Sequence, residues 1–294
     1  LVKGALMYAV LHPPNFFAQA AVHERPEMRK RPFAVLDGEP PGETVFAANK
    51  AARALGVEVG MSKLQAQSLP EIATLPRVVN HEDVAHTILH GIACTFSPRI
   101  ESVASRPGTY ALDIRGMNTL FGDATQLATK LRHRIMTAGF LANVAVAENF
   151  DAAVCLAYGR AGVSVVPPGC EANALGHLPL TVLNLAPEHA AMFEAWGVRT
   201  CAELASLAET DLIARLGQAG KKLHALTRGD WPHLMFPIEP SFEAGLIERM
   251  ELECPIEDLE RLLFLLSRMT TALLERVRSK ARAIASLRVI LKLD

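Results

Sequence analysis

The sequence is poorly equipped for several common chemistries. Its five cysteines (Cys94, Cys155, Cys170, Cys201 and Cys254) are scattered, odd in number and never spaced Cys-x-x-Cys. That excludes a zinc ribbon and a disulfide framework, and leaves reduced thiols read as small buried apolar residues. No Gly-x-Ser-x-Gly is present and no glycine-rich loop follows a strand, so neither a serine hydrolase nor a phosphate-loop enzyme is indicated. His81, His86 and His90 lack a His-Glu-x-x-His frame and a third ligand, and read as a surface helix. No apolar stretch approaches the roughly 20 residues of a membrane span. The run Gly4–Leu11 after Lys3 lacks a small-residue cleavage site and reads as a buried strand rather than a signal peptide. The expected location is cytoplasmic, with no membrane partner.

What is present suits globular domains. Half of the 294 residues are apolar and 21% are charged, with a net charge of −1. This length fits roughly two to four domains. The chain starts without Met and stops in Leu287–Leu293, apparently inside a strand, so it reads as a fragment. Strands are expected at Met7–Leu11, Pro32–Leu36, Thr44–Phe46, Arg99–Ala104, Thr109–Ile114 and Ala142–Val146. Helices are expected at Phe16–Val22 with Asn15 as N-cap, at Asn49–Leu55 closed by Gly56, at His81–Phe96 and at Ala124–Ala138. The alternation suits an α+β sandwich of the ferredoxin-like kind. After Pro167-Pro168-Gly169 only short helices follow, to about Thr227. A proline-punctuated linker then precedes a strand at Gly245–Leu252, a long helix from Ile256 to about Val277 and a strand at Ser286–Leu293.

Several segments carry one resemblance in a single order. The run Leu6–Leu11 ends in His12-Pro13-Pro14 and restarts at Asn15-Phe16-Phe17-Ala18. Ala47–Val57 with Gly60-Met61, Phe96–Glu101, Leu112-Asp113, Leu120-Phe121-Gly122 with Ala124–Leu131, and Leu216–Leu223 follow. Together they resemble the Y-family (lesion-bypass) DNA polymerases over essentially the whole chain. The resemblance implies a ferredoxin-like palm (1–30 and 78–168), small fingers (31–77), an all-α helix-hairpin-helix thumb (169–232), a linker (233–243) and a truncated α/β little-finger domain (244–294).

It also implies that the catalysis is gone. Nucleotidyl transfer uses two divalent metals held by carboxylates. In the family these are the first Asp of an opening Asp-x-Asp pair and an Asp-Glu in the palm hairpin. The opening pair falls on His12 and Pro14. Counting back from Leu112-Asp113, the hairpin pair falls on Gly108 and Thr109, and no carboxylate lies between Ser102 and Leu112. The turn is slightly longer than usual. No catalytic residue and no metal ligand is therefore expected, and Mg²⁺ enters only if the metal site has been rearranged. The resemblance makes Phe16, Phe17, Lys50 and Arg53 the remnant of the nucleotide site, with Lys50 where active members have Tyr. Read as residues alone, at least one of the two phenylalanines is expected in the core, and Lys50 and Arg53 equally suit a solvated helix face.

DNA contact is expected from Gly217, Gly220, Lys221 and Lys222 in the thumb hairpin. The family's other hairpin, which normally has a glycine turn, corresponds to Asn184–Pro187, and its phosphate contact is expected to be weaker or lost. From Arg261 to Asp294, eight Lys/Arg face two acids, so Arg278, Lys280 and Arg282 are expected on DNA at the start of the little finger. The chain is similar to the ImuB-type subfamily, whose members combine lost metal carboxylates with a retained fold. That implies a non-catalytic DNA-binding adaptor in damage-induced translesion synthesis and mutagenesis, nucleoid-associated in the cytoplasm. Its partners would be DNA, a sliding clamp, a RecA-like mutagenesis protein and a C-family translesion polymerase, engaged through regions largely absent here. Two alternatives stay open: an active error-prone polymerase with a rearranged metal site, and a DNA-binding scaffold outside mutagenesis.

Overall fold

In the computed structural model, residues 7–238 and 258–279 are described, together with 250, 287 and 289. The chain divides into two compact units, Leu1–Pro237 and Ile238–Asp294. In the first, the elements run β1 (Tyr8–His12), α1 (Phe16–Ala21), a 3-10 turn (Pro26–Lys30), β2 (Phe33–Asp37), β3 (Thr44–Ala48), α2 (Lys50–Ala54), α3 (Lys63–Ser68), β4 (Ala73–Pro76) and α4 (Val79–Cys94). They continue with β5 (Ile100–Ser102), β6 (Tyr110–Asp113), α5 (Asn118–Phe121), α6 (Ala124–Thr137), β7 (Asn143–Ala147), α7 (Phe150–Gly159) and β8 (Val163–Val165). The remaining helices are α8 (Glu171–Gly176), a 3-10 segment (Leu180–Leu183), α9 (Pro187–Ala195), α10 (Cys201–Ser206), α11 (Glu209–Leu216) and α12 (Gln218–Arg228).

The main sheet has the order β5-β6-β1-β7-β8. Its first four strands are antiparallel neighbours, and β8 is parallel to β7 across the α7 crossover. This is the ferredoxin-like order, with the fingers inserted between β1 and α4. Central β1 is buried at every position, which explains its unbroken apolar run: both faces of the strand are covered. Alternate residues serve opposite sides. Tyr8, Val10, Ala111, Ala145 and Ala147 join the apolar α7 and the thumb residues Leu175, Leu204, Leu212 and Leu226 in one continuous core. Palm and thumb thus share a hydrophobic interior.

The fingers form a second sheet, β3-β2-β4. Its parallel β2–β4 pair needs a crossover, which α2 and α3 supply. Helix α3 starts on a reciprocal capping box between Ser62 and Gln65. Helix α6 does the same with Asp123 and Gln126.

Several expectations are corrected. Asn15 does not cap α1 with its side chain; it supplies a left-handed residue, φ 55°, at the strand-to-helix turn. Elements α3, β4, α7 and β8 were not anticipated. The helix that carries His81, His86 and His90 is α4, which has exposed positions along one face as expected, with His86 and His90 themselves half-buried. Cys155 and Cys201 are buried as expected, whereas Cys94 and Cys170 are exposed. In the second unit, α13 (Leu259–Ser279) is an amphipathic helix. The strands expected at 245–252 and 286–293, the side chain of Arg278, and Lys280 and Arg282 lie outside the described residues.

Candidate functional site

The β1–β6 register pairs Leu11 with Tyr110. One further step sets His12 opposite Thr109. The two side chains meet there, His12 Nδ1 lying 2.8 Å from Thr109 Oγ1. His12 is only 7% exposed. Burial, with a smaller contribution from the Arg106 guanidinium, lowers its pKa from 6.5 to about 4. The imidazole is therefore neutral at physiological pH, as a buried ring beside a cation should be.

Gly108, the other hairpin position, is left-handed at φ 72°. A Cβ there would collide with the Phe16 ring and stand 2.9 Å from Pro13 Cγ. Phe16 is buried and packs on His86, ring centroids 4.5 Å apart. His86 Nδ1 is 3.0 Å from the Tyr110 hydroxyl, which burial pushes up to about 12. Phe17 is half-buried against Phe46, centroids 4.8 Å apart. Arg77 covers Phe46 at 3.8 Å while its guanidinium pairs with Glu82 and Asp37. Both aromatic positions of the expected nucleotide remnant are thus engaged by the protein's own side chains. Lys50 and Arg53 lie exposed on α2, and neither forms an ion pair among the described residues.

The donor set at the palm centre does not suit a magnesium pair. Magnesium asks for hard oxygen ligands in octahedral array. His12 and Thr109 are tied to each other, Gly108 has no side chain, and Pro14 offers only a ring. The carboxylates of the same hairpin are committed elsewhere. Burial alone would raise the Asp113 pKa, but hydrogen bonds from Arg115 more than offset it, and Arg99 adds a weaker pairing at 3.6 Å. Glu101 accepts from His233 Nε2 at 3.0 Å and from the Phe236 amide at 2.8 Å. Among the described residues, no three His, Cys, Asp or Glu side chains converge as metal ligands.

In the thumb, Gly217 joins α11 to α12 at φ 59° with open space around its Cα. Gly220 serves a different contact from the one expected of it. It faces the Leu212 carbonyl so closely that a Cβ could not be accommodated, so its approach is to a neighbouring helix. Lys221 and Lys222 are exposed, and Lys222 Nζ lies 5.8 Å from the Trp231 ring centroid. At the other expected hairpin, Asn184 takes the left-handed conformation, φ 51°, that glycine would otherwise supply. Sequence reasoning missed Arg77, Arg106 and Tyr158. The lengthened hairpin turn carries Arg106 but holds no sign of its burial, which depends on the distant Val182 carbonyl.

A ferredoxin-like palm with inserted fingers and an all-α thumb is the architecture of the Y-family DNA polymerases. The comparisons agree. Residues 12–157 match the IMS (impB/mucB/samB) family. DNA polymerase IV 2 of Mesorhizobium japonicum is 30% identical over 217 residues, 72% of this chain and 51% of the relative. DNA polymerase IV of Halorhodospira halophila is 31% identical over 221 residues, 73% and 61% of the two chains. The chain therefore spans about half to three fifths of the length of these curated relatives. Among solved structures, DinB from Sulfolobus solfataricus superposes with a TM-score of 0.66 at 21% identity, covering 78% of this chain and 69% of that one. An insertion ternary complex of Dbh DNA polymerase gives 0.65 at 20%, with coverage of 78% and 69%. The chain is a homologue of the Y-family DNA polymerases.

Proposed function

We propose that this chain is a non-catalytic, polymerase-shaped DNA-binding adaptor of the ImuB type, acting in damage-induced translesion synthesis and mutagenesis. The observation that carries the reading is the His12–Thr109 pair. A neutral imidazole and a hydroxyl, bonded to each other, stand where the resemblance puts a metal-binding carboxylate from each of two strands. Gly108 closes the third position sterically as well as chemically. DNA contact through the thumb, with Lys221 and Lys222 as phosphate partners, fits the relatives' names as polymerases and the exposure of both side chains. The reading extends to a sliding clamp, a RecA-like mutagenesis protein and a C-family polymerase as partners of the whole protein, in the cytoplasm.

The test is paired. Primer extension with Mg²⁺ and with Mn²⁺ should give no product, while fluorescence anisotropy on the same primer–template should report salt-sensitive binding. Extension above a no-enzyme control would favour the rearranged-site polymerase instead. A clamp pull-down with the full-length protein distinguishes the mutagenesis adaptor from an unrelated DNA-binding scaffold.

A further inference from the structure

We propose that the centre of the palm has been rebuilt into a metal-independent lock joining palm to thumb, with the Arg106 side chain as the connecting piece. Arg106 sits in the turn between β5 and β6, in Ser105-Arg106-Pro107-Gly108, a sequence suited to a solvent-facing turn. It is nevertheless only 7% exposed. Its Nη2 donates to the carbonyl of Val182 at 2.7 Å, 76 residues further along in the first 3-10 segment of the thumb. Its guanidinium carbon lies 3.6 Å from the Tyr158 ring centroid on α7. The Cys155 thiol donates to the same Val182 carbonyl at 3.4 Å.

The contacts return to their starting point. Tyr158 leans on the His12 ring, centroids 5.1 Å apart, and His12 is bonded to Thr109 at the base of the same turn. Hairpin, β1, α7 and thumb are therefore connected through Thr109, His12, Tyr158, Arg106 and Val182. Arg106 has no carboxylate partner among the described ion pairs. A buried cation in that state is costly unless an aromatic face and a carbonyl compensate it, and both are present. A fixed positive charge thus stands beside the place where active relatives would hold divalent cations, and it opposes their entry. In this molecule the Arg106 side chain adds a polar fastening between hairpin and thumb to the hydrophobic interior that palm and thumb already share.

The proposal rests on the reading of the palm as non-catalytic. Primer extension tests that reading, whereas the lock is tested by hydrogen exchange on the full chain, so the two fail separately. With EDTA or with excess MgCl₂, wild-type exchange over residues 178–185 and 150–159 should be the same. Arg106→Met should accelerate exchange in 178–185 by about tenfold or more while β1 and β7 stay as protected as before. Unchanged exchange at 178–185 in Arg106→Met, or wild-type exchange slowed there by Mg²⁺, would overturn the lock. Should Arg106→Met fail to fold, Tyr158→Leu keeps the guanidinium and its carbonyl bond but removes the stacking. It must show the same localised acceleration, and an increase spread evenly over both sheets would count against the proposal.

Discussion

His12 and Thr109 are 97 residues apart in sequence and share a 2.8 Å hydrogen bond across the centre of the sheet. Such a pair makes the palm self-sufficient, since each polar group satisfies the other in a place that water does not reach. Removing one partner leaves the other buried and unsatisfied, at about 1–3 kcal/mol. Thr109→Val should lower unfolding stability by that amount in urea titrations. In a double-mutant cycle with His12→Ala the two losses should be less than additive.

The same histidine predicts a pH dependence. Its folded pKa, about 4, lies below the ordinary 6.5, so the unfolded chain binds the proton more readily. The stabilisation is full above pH 6.5 and is lost as pH falls towards 4, at most about 3 kcal/mol. His12→Asn abolishes this titration. Measured against that variant, the urea midpoint of the wild type should decline through that window, while the two curves run parallel above it.

Placing a carboxylate at Gly108 should cost stability before it offers any chemistry. The position is left-handed, and Phe16 and Pro13 occupy the space of a Cβ. Gly108→Asp should destabilise by about 2–4 kcal/mol, summing the conformational and overpacking costs. A thermal melt checks this, and unchanged stability would show that Phe16 moves aside freely.

At the thumb, Lys221→Ala with Lys222→Ala should weaken DNA binding uniformly across sequences and flatten its salt dependence by up to about two phosphate equivalents. Gly220→Ala is the contrasting change, because its contact is internal. It should lower the thermal midpoint by crowding Leu212, and an anisotropy titration below the melt would separate that effect from lost affinity.

The segment after α12 is held by Glu101, which accepts from both His233 and the Phe236 amide, while His233 stacks on Phe150 at 3.6 Å. Glu101→Ala should expose residues 231–237 to limited proteolysis at an enzyme-to-substrate ratio that leaves the wild type intact.

Much of this was legible in the residues. The apolar Leu6–Leu11 run was enough to mark β1 as a buried strand, and the resemblance, counted back from Leu112-Asp113, named Gly108 and Thr109 as the hairpin positions. That Thr109 lies across from His12 is what the β1–β6 register adds. Helix α7 escaped because Phe150–Gly159 is buried nearly all round, so it lacks the one-sided stripe on which helix periodicity depends. Elements α3 and β4 escaped because they are short, although the Ser62–Gln65 capping box was there to be read. The role of Arg106 was out of reach. Ser-Arg-Pro-Gly describes a turn correctly, but its burial depends on a thumb carbonyl that only the folded chain brings to it.

The seating of Phe16 over Gly108 makes the hairpin tip a fitted joint. A ring from α1 fills the volume that a Cβ on the turn would need, so the two segments, far apart in sequence, must change together. Glycine is held at this position by its neighbour as much as by its own left-handed backbone. A larger residue there and a smaller one at Phe16 are therefore expected to rescue each other, which ties the start of α1 to the tip of the β5–β6 turn as one unit.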